Sequence, residues 1–106
     1  MILYGIPTCD TCRKARKALE AAGQEVRFHD LRAQPLNAEQ LERFHAAFGD
    51  KLLNRASTTW RGLDEAARAQ PVLELLQAHP TLIKRPIIEG SELTLGWDKT
   101  AQAAHL

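Results

Sequence analysis

Cysteine is scarce in this chain: of its 106 residues only Cys9 and Cys12 carry a thiol. No disulfide framework can staple the fold, and a zinc site would have to borrow histidines. Charge of one sign is lacking as well. Lys and Arg number 14 against 13 Asp and Glu, a formal net charge of +1, so no direct binding to nucleic acid and no pull toward an anionic membrane are expected. Long apolar runs are missing too. Nothing approaches the ~18 consecutive apolar residues of a membrane span, and the N-terminus opens on a short strand-like run rather than a basic segment with a long apolar stretch. Aromatic residues make up 6%. Trp60 and Trp97 are not interleaved with a basic run, which argues for core or rim positions rather than a base-stacking platform. Repeats, linkers and low-complexity stretches are absent. A soluble, cytoplasmic, single-domain monomer is expected, long enough to bury a real core.

What is present is Cys9-Asp10-Thr11-Cys12, a C-x-x-C. It follows the apolar run Met1 to Tyr4 and the turn pair Ile6-Pro7, and it precedes the helix-like stretch Arg13 to Ala22. A strand feeding a helix whose first turn holds two thiols is the layout of a thioredoxin-like redox site. Free N–H groups and the helix dipole put partial positive charge at that end, which stabilises a thiolate, so Cys9 is the expected nucleophile. Cys12, three residues on, falls on the same side of the helix and within the ~4.4–6.8 Å Cα separation a disulfide tolerates. It is the candidate resolving thiol. Arg13 and Lys14 add positive charge nearby, whereas Asp10 opposes them. In a reducing compartment such a pair is catalytic or sensing rather than structural, although two buried cysteines serving only as small hydrophobes remain an alternative. His29, His45, His79 and His105 show no ligand spacing, so no metal is expected.

The rest of the chain reads as α/β. Met1 to Tyr4 is a strand, and Thr11 to Ala22 carries Ala15, Ala18, Leu19 and Ala22 at helical spacing, closed by Gly23. Glu25 to Asp30 alternates as a half-exposed strand, completing a βαβ unit with parallel strands. Open α/β sheets place ligands at the carboxyl ends of strands, where Cys9 sits. After a loop with Pro35, Asn37 caps a helix presenting Leu41, Phe44, Ala47 and Phe48 and ending at Gly49; Leu52-Leu53 fits a short helical turn. Trp60 to Arg68 and Pro71 to Ala78 are read as helices. Pro86 to Glu89, a turn at Gly90-Ser91, and Leu93 to Leu95 form a hairpin, and Asp98 starts a last helix. This order predicts a thioredoxin-like fold: a mixed four-stranded sheet with flanking helices, its core in residues 1–34 and 82–106 and a helical insertion over 35–81. Resemblance to that fold, in which a proline beginning the third strand commonly faces the thiols in the cis form, makes Pro86 the candidate for a cis peptide; a trans proline on an edge strand is the alternative.

Tyr4-Gly5-Ile6-Pro7-Thr8-Cys9-Asp10-Thr11-Cys12-Arg13-Lys14-Ala15, Leu52-Leu53-Asn54-Arg55 with Thr58-Thr59-Trp60 and Leu63, Leu82-Ile83-Lys84-Arg85-Pro86-Ile87, and Gly96-Trp97 together resemble the ArsC/Spx/YffB family. The resemblance spans nearly the whole chain in order. It implies arsenate reductases or other thiol-dependent reductases with no bound cofactor, drawing electrons from glutathione, glutaredoxin or thioredoxin. It also implies redox-sensing regulators that bind RNA polymerase. By the same resemblance Cys9 matches the arsenate-attacking cysteine, Arg13 the arginine one turn later, and Arg85 the arginine before the strand-three proline. Arg55 is a further candidate for holding an oxyanion, and Thr8 and Thr11 are candidate hydrogen-bond donors to one. Arginines at such positions also form solvated faces, and threonines there also cap helices.

The departures from that family bear on the substrate. Gly5 stands where the glutaredoxin-coupled arsenate reductases carry a histidine, Asn54 where an arginine follows the leucine pair, and about Leu95 where a further arginine lies. Each missing charge-assisted hydrogen bond weakens anion binding by roughly 1.5–3 kcal/mol. Cys12, conversely, brings the chain nearer the Spx-like branch and makes an internal disulfide available. An arsenate- or disulfide-reducing enzyme, a redox-switched regulator and a thiol-inert interaction module of the same fold are the three readings that follow.

Overall fold

A computed structural model describes all residues, 1–106. It divides into two compact units, Met1–Gln34 with Arg85–Leu106, and Pro35–Lys84.

The first unit is built on a four-stranded sheet in the order β2-β1-β3-β4. Strand β1 (Ile2–Gly5) pairs in parallel with β2 (Arg27–Asp30) and antiparallel with β3 (Ile87–Glu89), which continues antiparallel into β4 (Leu93–Leu95). The register aligns Leu3 with Phe28 and Ile88, so these three share a face. Helix α1 (Asp10–Ala21) covers that face: Cys12, Ala15 and Leu19 are buried on it and cluster with Leu3 and Ile88. Its apolar residues recur at three and four, which is why one stripe of this otherwise charged helix turns inward. Gly23 ends α1 with φ of +84°, a conformation costly for any residue with a Cβ, while the N–H groups of Gly23 and Gln24 return to the carbonyls of Glu20 and Leu19. The Arg85–Pro86 peptide is cis, at the position the resemblance marked. Helix α6 (Lys99–His105) is capped by Asp98 and buries Ala101 and His105.

The second unit is helical. Asn37 and Gln40 form a capping box at the start of α2 (Ala38–Phe48), which buries Leu41 and Phe44. A 3₁₀ turn, Gly49–Leu52, follows. The single helix expected over Trp60 to Arg68 is instead two, α3 (Thr58–Gly62) and α4 (Glu65–Arg68). Local capping divides them: Ser57 accepts from the Trp60 N–H, and Asp64 accepts from the Ala67 N–H and so opens a new helix where continuity was expected. Helix α5 (Val72–Ala78) buries Leu75 and Leu76. Residues 82–84 are tied to this unit by a Leu53–Ile83 bridge and by N–H bonds from Asn54 to Leu82 and from Lys84 to Leu52, each 2.8 Å.

Candidate functional site

The carboxyl end of β1 delivers the chain through Ile6 and Pro7 to Cys9, which takes the N-cap position of α1 with extended backbone (φ −80°, ψ 119°). Two backbone bonds hold it there. The Cys9 N–H donates to the Ile6 carbonyl and the Arg13 N–H to the Cys9 carbonyl, both at 3.0 Å. The sulfur lies over the first turn, half-buried and reachable from solvent, with the Cys12 N–H within reach of it.

Cys12, on the inward side of the same turn, is fully buried among Leu3, Ala15, Leu19 and Ile88. The two thiols are free rather than bridged. Their environments drive them apart. Partial burial raises the Cys9 pKa, but the Cys12 backbone N–H, the Cys12 thiol and the Arg85 guanidinium outweigh it, and the net displacement is downward. Burial pushes the Cys12 thiol up to about 12, and the neighbouring Cys9 adds to the rise. One sulfur is prepared as thiolate and the other as a proton-bearing donor to it.

The other expected residues fall less uniformly. Arg85, just before the cis bond, is brought to Cys9 and acts on it by hydrogen bond and by charge. Pro86 is buried. Arg13 turns instead to Asp10, three residues earlier, in an ion pair exposed to solvent. The Asp10 carboxylate thus engages the arginine that was expected beside the sulfur. Thr8 and Thr11 flank Cys9 and are exposed. Arg55 belongs to the helical unit, its guanidinium 5.5 Å from the Trp60 ring centre, with that of Arg68 5.4 Å from the same ring. It lies beside an open depression of about 470 Å³ with Lys51, Asn54 and Lys84.

None of the histidines joins the thiols. His29 bonds the Gln34 carbonyl at 2.7 Å, His45 lies 3.2 Å from Asp50, His79 is half-buried, and His105 bonds Thr94 at 2.8 Å. No group of three or more His, Cys, Asp or Glu gathers as metal ligands, and no helix is long and apolar enough to cross a membrane. Gly5, read from the sequence only as the place of a missing histidine, has a further part in the site that the sequence reading did not name. A Cβ on Gly5 would stand 2.6 Å from the Cys12 sulfur, so the strand end is bare where the buried thiol touches it. The signal was a glycine closing an apolar strand four residues ahead of the first cysteine of a C-x-x-C.

The sequence model of the ArsC family matches residues 4–104. The chain belongs to the ArsC family. Among solved structures it resembles a protein called YffB (PA3664), with 42% identity, a TM-score of 0.90, and 99% of this chain and 97% of that one covered. It also resembles an arsenate reductase (ArsC) related protein from Brucella melitensis, at 39% identity and a TM-score of 0.75 over 98% and 92% of the two chains. The global transcriptional regulator Spx of Listeria innocua is 29% identical over 92% of this chain and 79% of its own length. The ArsC-family fold thus has the thioredoxin-like topology expected, and both reductase-related and regulatory proteins are among its relatives.

Proposed function

We propose that this protein is a thiol-dependent reductase in which Cys9 is the nucleophile and arsenate the leading substrate. The observation that supports it most is the Cys9 sulfur itself: set at a helix N-cap, half-exposed, and held toward its ionised form by Cys12 and Arg85. Arsenate is a tetrahedral oxyanion, and a guanidinium fork suits its oxygens. The Cys9 thiolate attacks arsenic, and an As–OH oxygen leaves as hydroxide that takes a proton from solvent to become water, giving a Cys9–arsenic adduct. A second thiolate, from Cys12 or from glutathione, then attacks the Cys9 sulfur. The new S–S bond forms as the S–As bond breaks, and that electron pair stays on arsenic, which departs trivalent. Glutaredoxin or thioredoxin reopens the disulfide. Resolution by glutathione has a physical advantage, because Cys9 is reachable from solvent whereas ionising Cys12 means placing charge in an apolar cluster.

NADPH-coupled reduction of arsenate and of glutathione mixed disulfides, with glutaredoxin and thioredoxin systems supplied separately, tests the reading. Cys9→Ser is expected to abolish turnover, and Cys12→Ser to slow it or reroute it to external glutathione. Full activity in both variants would end the proposal.

The close pairing of two free thiols, together with the Spx relative, supports a second reading, a redox-sensing regulator that binds RNA polymerase when Cys9 and Cys12 are bridged. Oxidised protein should then capture polymerase subunits that reduced protein does not. Equal capture by both forms excludes the switch.

A further inference from the structure

We infer that Gly5 is a positioning residue for the Cys9 thiolate, acting through Cys12: the bare strand end lets the Cys12 thiol lie against β1, from where Cys12 donates to Cys9. The inference rests on the reading of Cys9 as nucleophile and names what sets up its activation.

Glycine at this position is not demanded by the backbone. The glycines with positive φ are Gly23, Gly49 and Gly96, and Gly5 is a regular β1 residue paired with Asp30. It is demanded by space. A Cβ there would meet the Cys12 sulfur at 2.6 Å, the Cys12 Cβ at 3.1 Å and the Leu3 Cδ2 at 3.2 Å. Ordinary carbon contacts lie at ~3.5–4.0 Å, so all three are too close. Because the Cys12 Cβ is crowded along with its sulfur, turning the thiol aside does not relieve the overlap by itself. Retreat into the core is blocked as well, since Leu3, Ala15, Leu19 and Ile88 pack around Cys12 and all are fully buried. What remains is for the first turn of α1 to back away from the strand. That turn carries both Cys12 donors, the backbone N–H and the thiol, and Cys9 stands at its N-cap. A methyl group at position 5 therefore disturbs the donor set of a sulfur that it does not touch.

A purely structural glycine would matter to stability and to nothing else, so the deciding readout is Cys9 ionisation. This is followed through thiolate ultraviolet absorbance and the pH dependence of iodoacetamide alkylation in reduced protein. Four proteins form the cycle: wild type, Gly5→Ala, Cys12→Ala, and Gly5→Ala with Cys12→Ala. Gly5→Ala is expected to move the Cys9 alkylation profile to higher pH and to slow alkylation several-fold near neutrality. Cys12→Ala is expected to do likewise. In the Cys12→Ala background the glycine substitution should add no further shift and should cost less stability than in wild type. If Gly5→Ala lowers the melting temperature with the profile unmoved, or shifts it equally in both backgrounds, the inference is overturned. If Gly5→Ala does not fold, the double variant decides: recovery of the fold with the Cys12→Ala profile supports the inference, and failure to recover overturns it. Turnover of Cys9→Ser bears on the nucleophile alone, so the two ideas fail separately.

Discussion

Arg85 and Arg13 were both carried over from the family resemblance, yet they end in different surroundings, and the difference separates the effects expected of them. Arg85 acts on Cys9 by hydrogen bond and charge, while Arg13 spends its guanidinium on Asp10 in an exposed pair. Arg85→Ala should move the alkylation profile of Cys9 upward in pH. The sign follows from the pKa itself: Cys9 is lowered, so its thiolate persists to lower pH than an ordinary thiol, and removing a cause of the lowering withdraws reactivity from the acid side. The same variant should lose about tenfold or more in kcat/KM for arsenate, the worth of one charge-assisted hydrogen bond. Arg85→Lys keeps the charge without the fork and should fall between. Arg13→Ala should change kcat/KM by less than about twofold, since exposed pairs contribute little. A tenfold loss in Arg13→Ala, with Arg85→Ala near wild type, would reverse the assignment. Cys9 and Cys12 could be picked out in the sequence from residue type and spacing at the start of one helix, whereas Arg85 was named only through the resemblance to the family. The turning of Arg13 toward Asp10 was not legible, being a rotamer choice between two nearby partners. The bare strand end at Gly5 was not either, because it depends on how closely a helix approaches a strand.

At the scale of elements, local signals decided what the sequence could show. The strong stripe of α1, its glycine stop and the Asn37 cap of α2 were readable because each is written within a few residues. The break between α3 and α4 was missed because apolar spacing runs through it, while Asp64 as a new cap outweighs that continuity. Helix α6 shows a feature no periodicity reveals. Its last residue, His105, is 4% exposed, bonds Thr94 through Nε2, and has Nδ1 buried without a partner. The neutral ring with its proton on Nε2, donated to Thr94, fits this pocket; protonation would add a buried N–H with no acceptor. Burial accordingly lowers the His105 pKa below its ordinary 6.5, against a smaller opposing influence of Glu92. The unfolded chain then takes up a proton that the folded chain refuses. Stability from this group is complete above pH 6.5 and is lost as the pH falls below it toward the folded value. His105→Gln keeps a donor for Thr94 without the titration. Between about pH 7.5 and 5 the melting temperature of wild type should therefore fall by a few degrees more than that of His105→Gln. Parallel declines would show that the ring does not titrate against folding.

For the whole molecule the βαβ-ββα sequence of elements predicted a mixed four-stranded sheet with a parallel pair and a hairpin, while the strand order β2-β1-β3-β4 and its register were seen only in the structure, because element order does not say which strand the hairpin joins. Charge is the other property that belongs to the molecule entire. With +1 overall, any attraction to nucleic acid has to come from a local concentration of cations. The depression of the helical unit has one such concentration, Lys51, Arg55 and Lys84, offset in part by Asp50, which also lines it. Three phosphate contacts correspond to a slope of roughly −2.7 in log affinity against log salt, so such binding would weaken about 40-fold between ~50 and ~200 mM salt. Random duplex DNA in a mobility-shift titration should accordingly show at most weak retardation at the low-salt end and none at the high-salt end, in both thiol and disulfide states. Neutralising two of the three, Lys51→Gln with Lys84→Gln, should remove what retardation there is. Retention of DNA at ~200 mM salt in either state would mean that a surface other than these three cations contacts the backbone, and a regulator acting directly on DNA would then displace both proposed readings.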